Sequence, residues 1–413
     1  MEGRVLKFGY VLLDGCADLP VPSLNYTTPL EAAHTPNLDK ISSSSKLGSV
    51  VTVGKGVAPE SDIAVFSMLG YSFDEGYPGR GIVEAVGAGM SPRTGDLVLR
   101  ANLASVRGRR IVDRRAGRNL TSEEGKAIAR ELNEIKLAGA SLEFRSTVGY
   151  RGVLLIRADR PLSAAVTNTD PAYMKVRGFG AARETSGVEL ILESSPETGA
   201  PEAAHAARLV NEFTEKSLKV LSTSETNTER ARAGKLPANC VLLRDAGDHL
   251  PDLVPFEKKY GVKGVALVEM PAEVGIAKLL GMKMVPIRDR NDLKEKASLF
   301  VRELKDSSLV YVHIKGPDEF GHEGDAKGKT KCIEAIDRDF FSALSSISGD
   351  FRLGVSCDHS TPCTLSRHSA DPVPLLVTTP NGGDRLRFTE RNSRVGSLGS
   401  LMGRDVLKTF VVR

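Results

Sequence analysis

The chain has no tryptophan, and its 5 cysteines (Cys16, Cys240, Cys332, Cys357 and Cys363) are odd in number and never spaced C-x-x-C. Such a set fits neither a disulfide framework nor a thiolate zinc site. No apolar run approaches the roughly 20 residues that cross a bilayer, and residues 1–13 lack the basic, apolar and small-residue order of a secretory leader. Charge of one sign is also missing, since 56 basic against 52 acidic side chains leave a net +4. That balance gives no electrostatic reason for a nucleic acid, a membrane surface or another polyanionic partner. The expectation is a cytoplasmic protein, with association into a homo-oligomer left open.

What the sequence does have is length and alternation. Its 413 residues can bury a large core and suit two domains better than one. Apolar runs that suit buried strands (FGYVLL, NCVLLRD, VKGVALVEM, MKMVPI, SLVYVHI, FRLGVSC and VPLLVTT) alternate with helical patterns such as NDLKEKASLFVREL. Strand alternating with helix predicts an α/β fold built on a doubly wound, mostly parallel sheet. From about Asp96 the pattern changes to DLVLRANLASV and RRIVD across a Gly-containing turn, an antiparallel hairpin signal. Thr121 and Glu124 then form a capping box for the next helix. This block, ending near a Gly- and Pro-rich stretch, predicts a smaller α+β domain at 96–195 inserted into a core of 1–95 and 196–413.

Chemistry concentrates where strands end. Asp14 closes FGYVLL, Asp318 and His322 follow SLVYVHIK in GPDEFGHEGD, and Asp358, His359 and His368 follow FRLGVS in CDHSTPCTLSRH. In an open parallel sheet, ligands gather beyond the carboxyl ends of the strands, so these residues are expected to converge. Asp358 and His359 can serve one site only if their strand has ended, because neighbours in a strand point to opposite faces. Asp318 and His322, four apart, share a face of one helical turn. Ser61 opens the helical pattern SDIAVFSMLG, near free backbone N–H groups, although a serine there is commonly just an N-cap. Carboxylates with imidazoles favour Zn, Mn, Fe or Co over Ca or Mg. Seven donors exceed one tetrahedral ion and suit a pair, the arrangement that clamps an in-line displacement at phosphorus. His34, His205, His249 and His313 read as ordinary hydrogen-bonded histidines. DRRAGR is either a solvated hairpin face or a bidentate anion clamp.

Together the stretches VLLDGCAD, TPLEAAHTPNLD, PESDIA, LGYSFDEGYPGRG, DRRAGR, HIKGPDEFGHEGD and CDHSTPCTLSRHSADPVP resemble the archaeal-type, cofactor-independent phosphoglycerate mutases of the alkaline phosphatase superfamily. The resemblance spans nearly the whole chain. It implies an alkaline phosphatase-like core and two divalent metal ions (Mn, Zn or Co), without 2,3-bisphosphoglycerate as a cofactor. One metal would be held by Asp14, Ser61, Asp358 and His359, and the other by Asp318, His322 and His368, with Ser61 the nucleophile. Arg114, Arg115 and Asp170 of the inserted domain would bind the glycerate part of a small phosphorylated substrate, and Lys315 would balance phosphate charge. The implied reaction interconverts 2-phosphoglycerate and 3-phosphoglycerate through a phosphoserine, with the inserted domain closing to exclude water. Val65, Tyr150 and Ala172 stand where the family usually has histidine. All three fall on the expected substrate side, which keeps a related phosphatase or phosphotransferase acting on another small alcohol as the alternative. A regulatory protein without turnover is a third reading, disfavoured by the intact set of seven ligands, since a binding module needs no serine beside two metals.

Overall fold

The computed structural model describes residues 6–73, 77–176, 179–182, 189–289, 291–344, 351–380 and 382–411. Parts of LGYSFDEGYPGRG and of the Gly- and Pro-rich stretch therefore lie outside the described residues. The strands are β1 (Lys7–Leu13), β2 (Ser45–Val51), β3 (Leu97–Arg107), β4 (Arg110–Asp113), β5 (Ala140–Ser146), β6 (Arg151–Ala158), β7 (Tyr173–Val176) and β8 (Phe179–Ala182) in the first part of the chain. They continue with β9 (Cys240–Gly247), β10 (Gly264–Leu267), β11 (Lys283–Met284), β12 (Leu309–Ile314), β13 (Phe351–Cys357), β14 (Val373–Thr378) and β15 (Gly399–Met402).

The chain forms two compact units, 1–72 with 254–269 and 276–413, and 73–253 with 270–275. The first holds an 8-stranded sheet in the order β11-β10-β12-β1-β13-β14-β2-β15. Pairing is parallel except where β14 meets β13 and β2, in agreement with the mostly parallel sheet expected. The central strands are apolar runs because both faces are covered; all six residues of β12 are buried. Helix Leu293–Asp306 buries Ala297, Phe300 and Leu304 and is capped by the Asp292 carboxylate, which accepts from Glu295 N at 2.8 Å.

The three strands that deliver acidic residues are neighbours, with β1 between β12 and β13. Leu13 is level with Ile314 on one side and Cys357 on the other. Asp14, Lys315 and Asp358 therefore emerge side by side, one residue past the ladder. β13 ends at Cys357, so the condition that lets Asp358 and His359 face one site is met.

The second unit is wider than the 96–195 insertion expected. Its β3 is a central strand, pairing with β4 and β6 and, through Val98 to Ala104, with β9. The run NCVLLRD thus belongs to this 5-stranded sheet and not to the core, and the helix Pro201–Ser222 buries Val210 and Phe213 within the same unit. The hairpin and the Thr121–Glu124 capping box form as expected.

A buried polar network braces the loop after β1. Lys329, without solvent exposure, donates to Asp18 Oδ2 at 2.8 Å, Thr361 O at 2.9 Å and Ala17 O at 3.2 Å, using all three of its protons. Asp18 N donates to Glu390 Oε1 at 3.0 Å, and Thr28 Oγ1 donates to Glu390 Oε2 at 2.7 Å. Burial pushes the Glu390 carboxyl from 4.5 up to about 7, against the opposing pull of its hydrogen-bond donors. A carboxyl raised in the folded state costs stability once it must ionise. Its contribution is therefore intact below about pH 4.5, falls as the pH rises to 7, and levels off above, by about 3 kcal/mol in all. Glu390→Gln keeps the shape and is expected to remove this decline, so chemical denaturation should show the variant gaining on the parent between pH 5 and pH 8. A variant that gains nothing on the parent, or loses ground to it, over that range would contradict the assignment.

Candidate metal centre

The seven predicted donors come together in the first unit. Ser61 is the first residue of the helix Ser61–Met68, but the cap position is Glu60 and no side chain caps it. The Ser61 hydroxyl instead lies 3.1 Å from His359 Nε2, so the bland N-cap role does not apply. His359 Nε2 is also 3.6 Å from Asp14 Oδ1 and 3.4 Å from Asp358 Oδ2. On the helix Pro317–Glu323, His322 Nε2 stands 3.6 Å from Asp318 Oδ2. His368 Nε2 is 3.5 Å from Asp318 Oδ1 and 3.2 Å from His322 Nε2. The rings of His359 and His368 stack with centroids 3.8 Å apart, which joins the two halves into one centre.

Each imidazole is oriented from behind. His368 Nδ1 meets Pro59 O at 2.8 Å, His322 Nδ1 meets Ser366 O at 3.1 Å, and His359 Nδ1 meets Thr361 Oγ1 at 3.0 Å. An oxygen acceptor at Nδ1 keeps the proton there and leaves the Nε2 lone pair facing inward, as metal-ligating histidines require. Asp14 Oδ1 and Asp358 Oδ2 are buried oxygens with no hydrogen-bond partner, which is costly unless a cation meets them.

The electrostatics agree. Burial, with the nearby Asp358 and Asp318 carboxylates, pushes Asp14 above the ordinary carboxylate range against the pull of Lys315 and His313. Burial also holds His359 down to about 4, so its imidazole is neutral. Burial pulls His368 down, but the hydrogen bond and charge of Asp318 raise it to about 9, so its Nε2 holds a proton that a bound cation would have to displace. The centre draws positive charge, and its oxygen and nitrogen donors fit divalent transition metals.

Two residues beside the donors complete the picture. Lys315 Nζ lies 3.1 Å from Asp14 Oδ2. His313, read from the sequence as an ordinary histidine, places Nε2 3.4 Å from Asp358 Oδ2 and 3.8 Å from Asp14 Oδ1. Within an apolar strand run its only signal was a polar side chain, buried to 1% exposure, one residue before the ladder ends.

In the second unit, Arg114 Nη2 bonds both oxygens of Asp170, and Arg244 Nη1 reaches Asp170 Oδ2 at 3.2 Å. Both guanidinium groups lie over the Tyr173 ring, at 5.1 and 4.3 Å from its centroid. The Asp170 side chain has no exposure, so it aims two arginines and does not itself offer a contact surface. Arg115 anchors its backbone N–H to Asp113 Oδ1 at 2.7 Å. Ala116, Gly117 and Arg118 follow with φ of 45°, 73° and 55°, a strained turn for two non-glycine residues. Buried Arg230 holds it, donating to Ala116 O at 3.0 Å and Asn119 Oδ1 at 2.7 Å. Arg100, likewise buried, pairs with Glu84 and Asp245 at 2.9 Å each. Arg100 and Arg244 were missed in the sequence because each sits inside an apolar strand run. Of the three positions that depart from the histidine pattern, Val65 and Ala172 are buried, and the Tyr150 ring carries the Arg151 guanidinium at 5.1 Å.

Comparison with known proteins gives the family. Residues 42–227 match the family model described as 2,3-bisphosphoglycerate-independent phosphoglycerate mutase. A protein of that name from Aeropyrum pernix is 42% identical over 96% of this chain and 97% of its own length. The chain belongs to the 2,3-bisphosphoglycerate-independent phosphoglycerate mutase family. It is an enzyme of the isomerase class, as the motifs implied. Another family member, from Methanopyrus kandleri, is 38% identical over 99% of this chain and 97% of its own. The solved cofactor-independent phosphoglycerate mutase from Thermoplasma acidophilum superposes with a TM-score of 0.63 at 30% identity, covering 98% of each chain. The PH0037 protein from Pyrococcus horikoshii gives 0.77 at 28%, covering 98% of this chain and 97% of that one. Among the described residues no helix is long and apolar enough to cross a membrane.

The donors leave little room for error. Gly15 has φ of 54°, and a Cβ there would stand 2.6 Å from Asp318 Oδ1 and from Thr361 Oγ1. Gly15→Ala is expected to displace the Asp318 carboxylate and weaken Mn2+ binding by about tenfold or more, as measured by calorimetry. Unchanged affinity would show that the close approach is dispensable.

Proposed function

We propose that the chain interconverts 2-phosphoglycerate and 3-phosphoglycerate by intramolecular phosphoryl transfer through Ser61. One divalent cation would be held by Asp14, Ser61, Asp358 and His359, and a second by Asp318, His322 and His368. When bound, the cations supply Lewis acidity, making the serine hydroxyl more acidic and neutralising charge on the phosphoryl oxygens. The observation that carries this reading is the Ser61 hydroxyl 3.1 Å from His359 Nε2, facing the cluster and capping nothing.

Ser61 Oγ takes the phosphoryl group from one glycerate oxygen, giving phosphoserine and a free glycerate hydroxyl. The retained glycerate turns, and its other hydroxyl takes the phosphoryl group back; no water is consumed. The N-terminal end of the Ser61 helix favours the negative charge that develops there. Lys315, beside Asp14, supplies a cation near the phosphate. In the second unit, Arg114 and Arg115 are offered as glycerate contacts. Asp170 serves by fixing the fork of Arg114, and Arg244 joins the set as a further candidate. Guanidinium forks match a carboxylate bidentately.

Purified protein loaded with Mn2+, Co2+ or Zn2+ is expected to interconvert the two phosphoglycerates without added bisphosphoglycerate, and chelation should abolish this. Ser61→Ala should lower kcat by about 1,000-fold or more while phosphoserine disappears from acid-quenched digests. Full turnover by that variant, or activity that survives chelation, would refute the mechanism. Inorganic phosphate released faster than isomer forms would point to the phosphatase reading.

A further inference from the structure

We infer that Thr361 is a positioning residue that locks the tautomer of His359 and couples the two halves of the donor cluster. This rests on the metal-centre reading above. The Thr361 hydroxyl lies 2.6 Å from Asp318 Oδ1 and 3.0 Å from His359 Nδ1. A hydroxyl has one proton to give, whereas an ionised carboxylate can only accept. The Thr361 proton therefore points to Asp318. Toward His359 the hydroxyl presents a lone pair, and only an N–H at Nδ1 can bond to it. The other tautomer would set two lone pairs against each other at that distance. His359 is thus left with a bare Nε2, turned toward Ser61 Oγ at 3.1 Å and the carboxylates of Asp14 and Asp358.

The residue is held from every side. It has no solvent exposure, its N–H donates to Ala17 O at 3.1 Å, and its carbonyl accepts from the buried Lys329 ammonium at 2.9 Å. Its methyl side fits against Gly321, where a Cβ would come within 2.8 Å of Thr361 Cγ2.

His322 and His368 are oriented by backbone carbonyls, Ser366 O and Pro59 O. His359 is oriented instead by a side chain whose proton is already committed to Asp318. One hydroxyl therefore touches a proposed ligand of each cation, and losing it should disturb both sites together. Thr361→Val preserves the shape while leaving Asp318 Oδ1 and His359 Nδ1 without that partner. Thr361→Ser restores the hydroxyl alone.

The full-length chain, stripped of metal, should be titrated with Mn2+ by calorimetry and electron paramagnetic resonance. The parent is expected to bind two ions, Thr361→Ser to bind them similarly, and Thr361→Val to bind both about 10- to 100-fold more weakly, the usual cost of losing such a partner. Independently, 15N spectra of the Zn2+-loaded parent should show the His359 ring proton on Nδ1. If the parent binds two ions and Thr361→Val binds them as tightly, the role of Thr361 is overturned while the metal centre stands. If the parent binds none, the metal centre falls and this inference with it. A His359 proton found on Nε2 in the parent overturns the tautomer lock without needing any variant to fold.

Discussion

The structure is governed by the crowding of three carboxylates beyond the carboxyl ends of three neighbouring strands of one sheet. Asp14, Asp318 and Asp358 come after three adjacent strands, and like charges so close in a buried setting repel strongly. Lys315 and the imidazoles offset part of this. Two buried carboxylate oxygens still lack hydrogen bonds. A fold that keeps such an arrangement gives up stability for a cluster whose charge and donors suit cations.

The surroundings serve that arrangement. The parallel register brings the strand ends level, the left-handed conformation of Gly15 lets the Asp318 carboxylate close in, and the Lys329–Asp18 pair fixes the loop that carries Thr361. A fully buried ion pair adds little net stability but is costly to break. Its value here is positional, because the Lys329 ammonium binds both the loop after β1 and the loop after β13.

Much of this was legible in the sequence. Asp14, Asp318 and Asp358 were visible because each terminates an apolar run, and a parallel sheet gathers the residues at the carboxyl ends of its strands. His322 was evident from helical spacing. The features that stayed hidden lay within apolar runs or in pairing partners. His313, Arg100 and Arg244 are polar residues embedded in strand-like stretches, where a satisfied core residue and a functional one look the same. Composition identifies NCVLLRD as a strand but cannot tell it to pair with β3, far earlier in the chain, so the boundary of the second unit was drawn too tightly. Thr361 had no spacing signal of its own; only coordinates reveal that one hydroxyl meets two side chains, one of them from a distant part of the chain.

β1 lies between β12 and β13, strands made some 300 residues after it. During synthesis the first strand therefore emerges long before either neighbour exists. The second unit, which has its own sheet, can be completed while β1 still waits, and long-range pairing of this kind is slow to form. A chain stopped short of His368 would carry Asp14, Ser61 and Asp318 but lack a donor from the loop after β13. The full donor set can therefore be assembled only after β13 and the loop that follows it have been made.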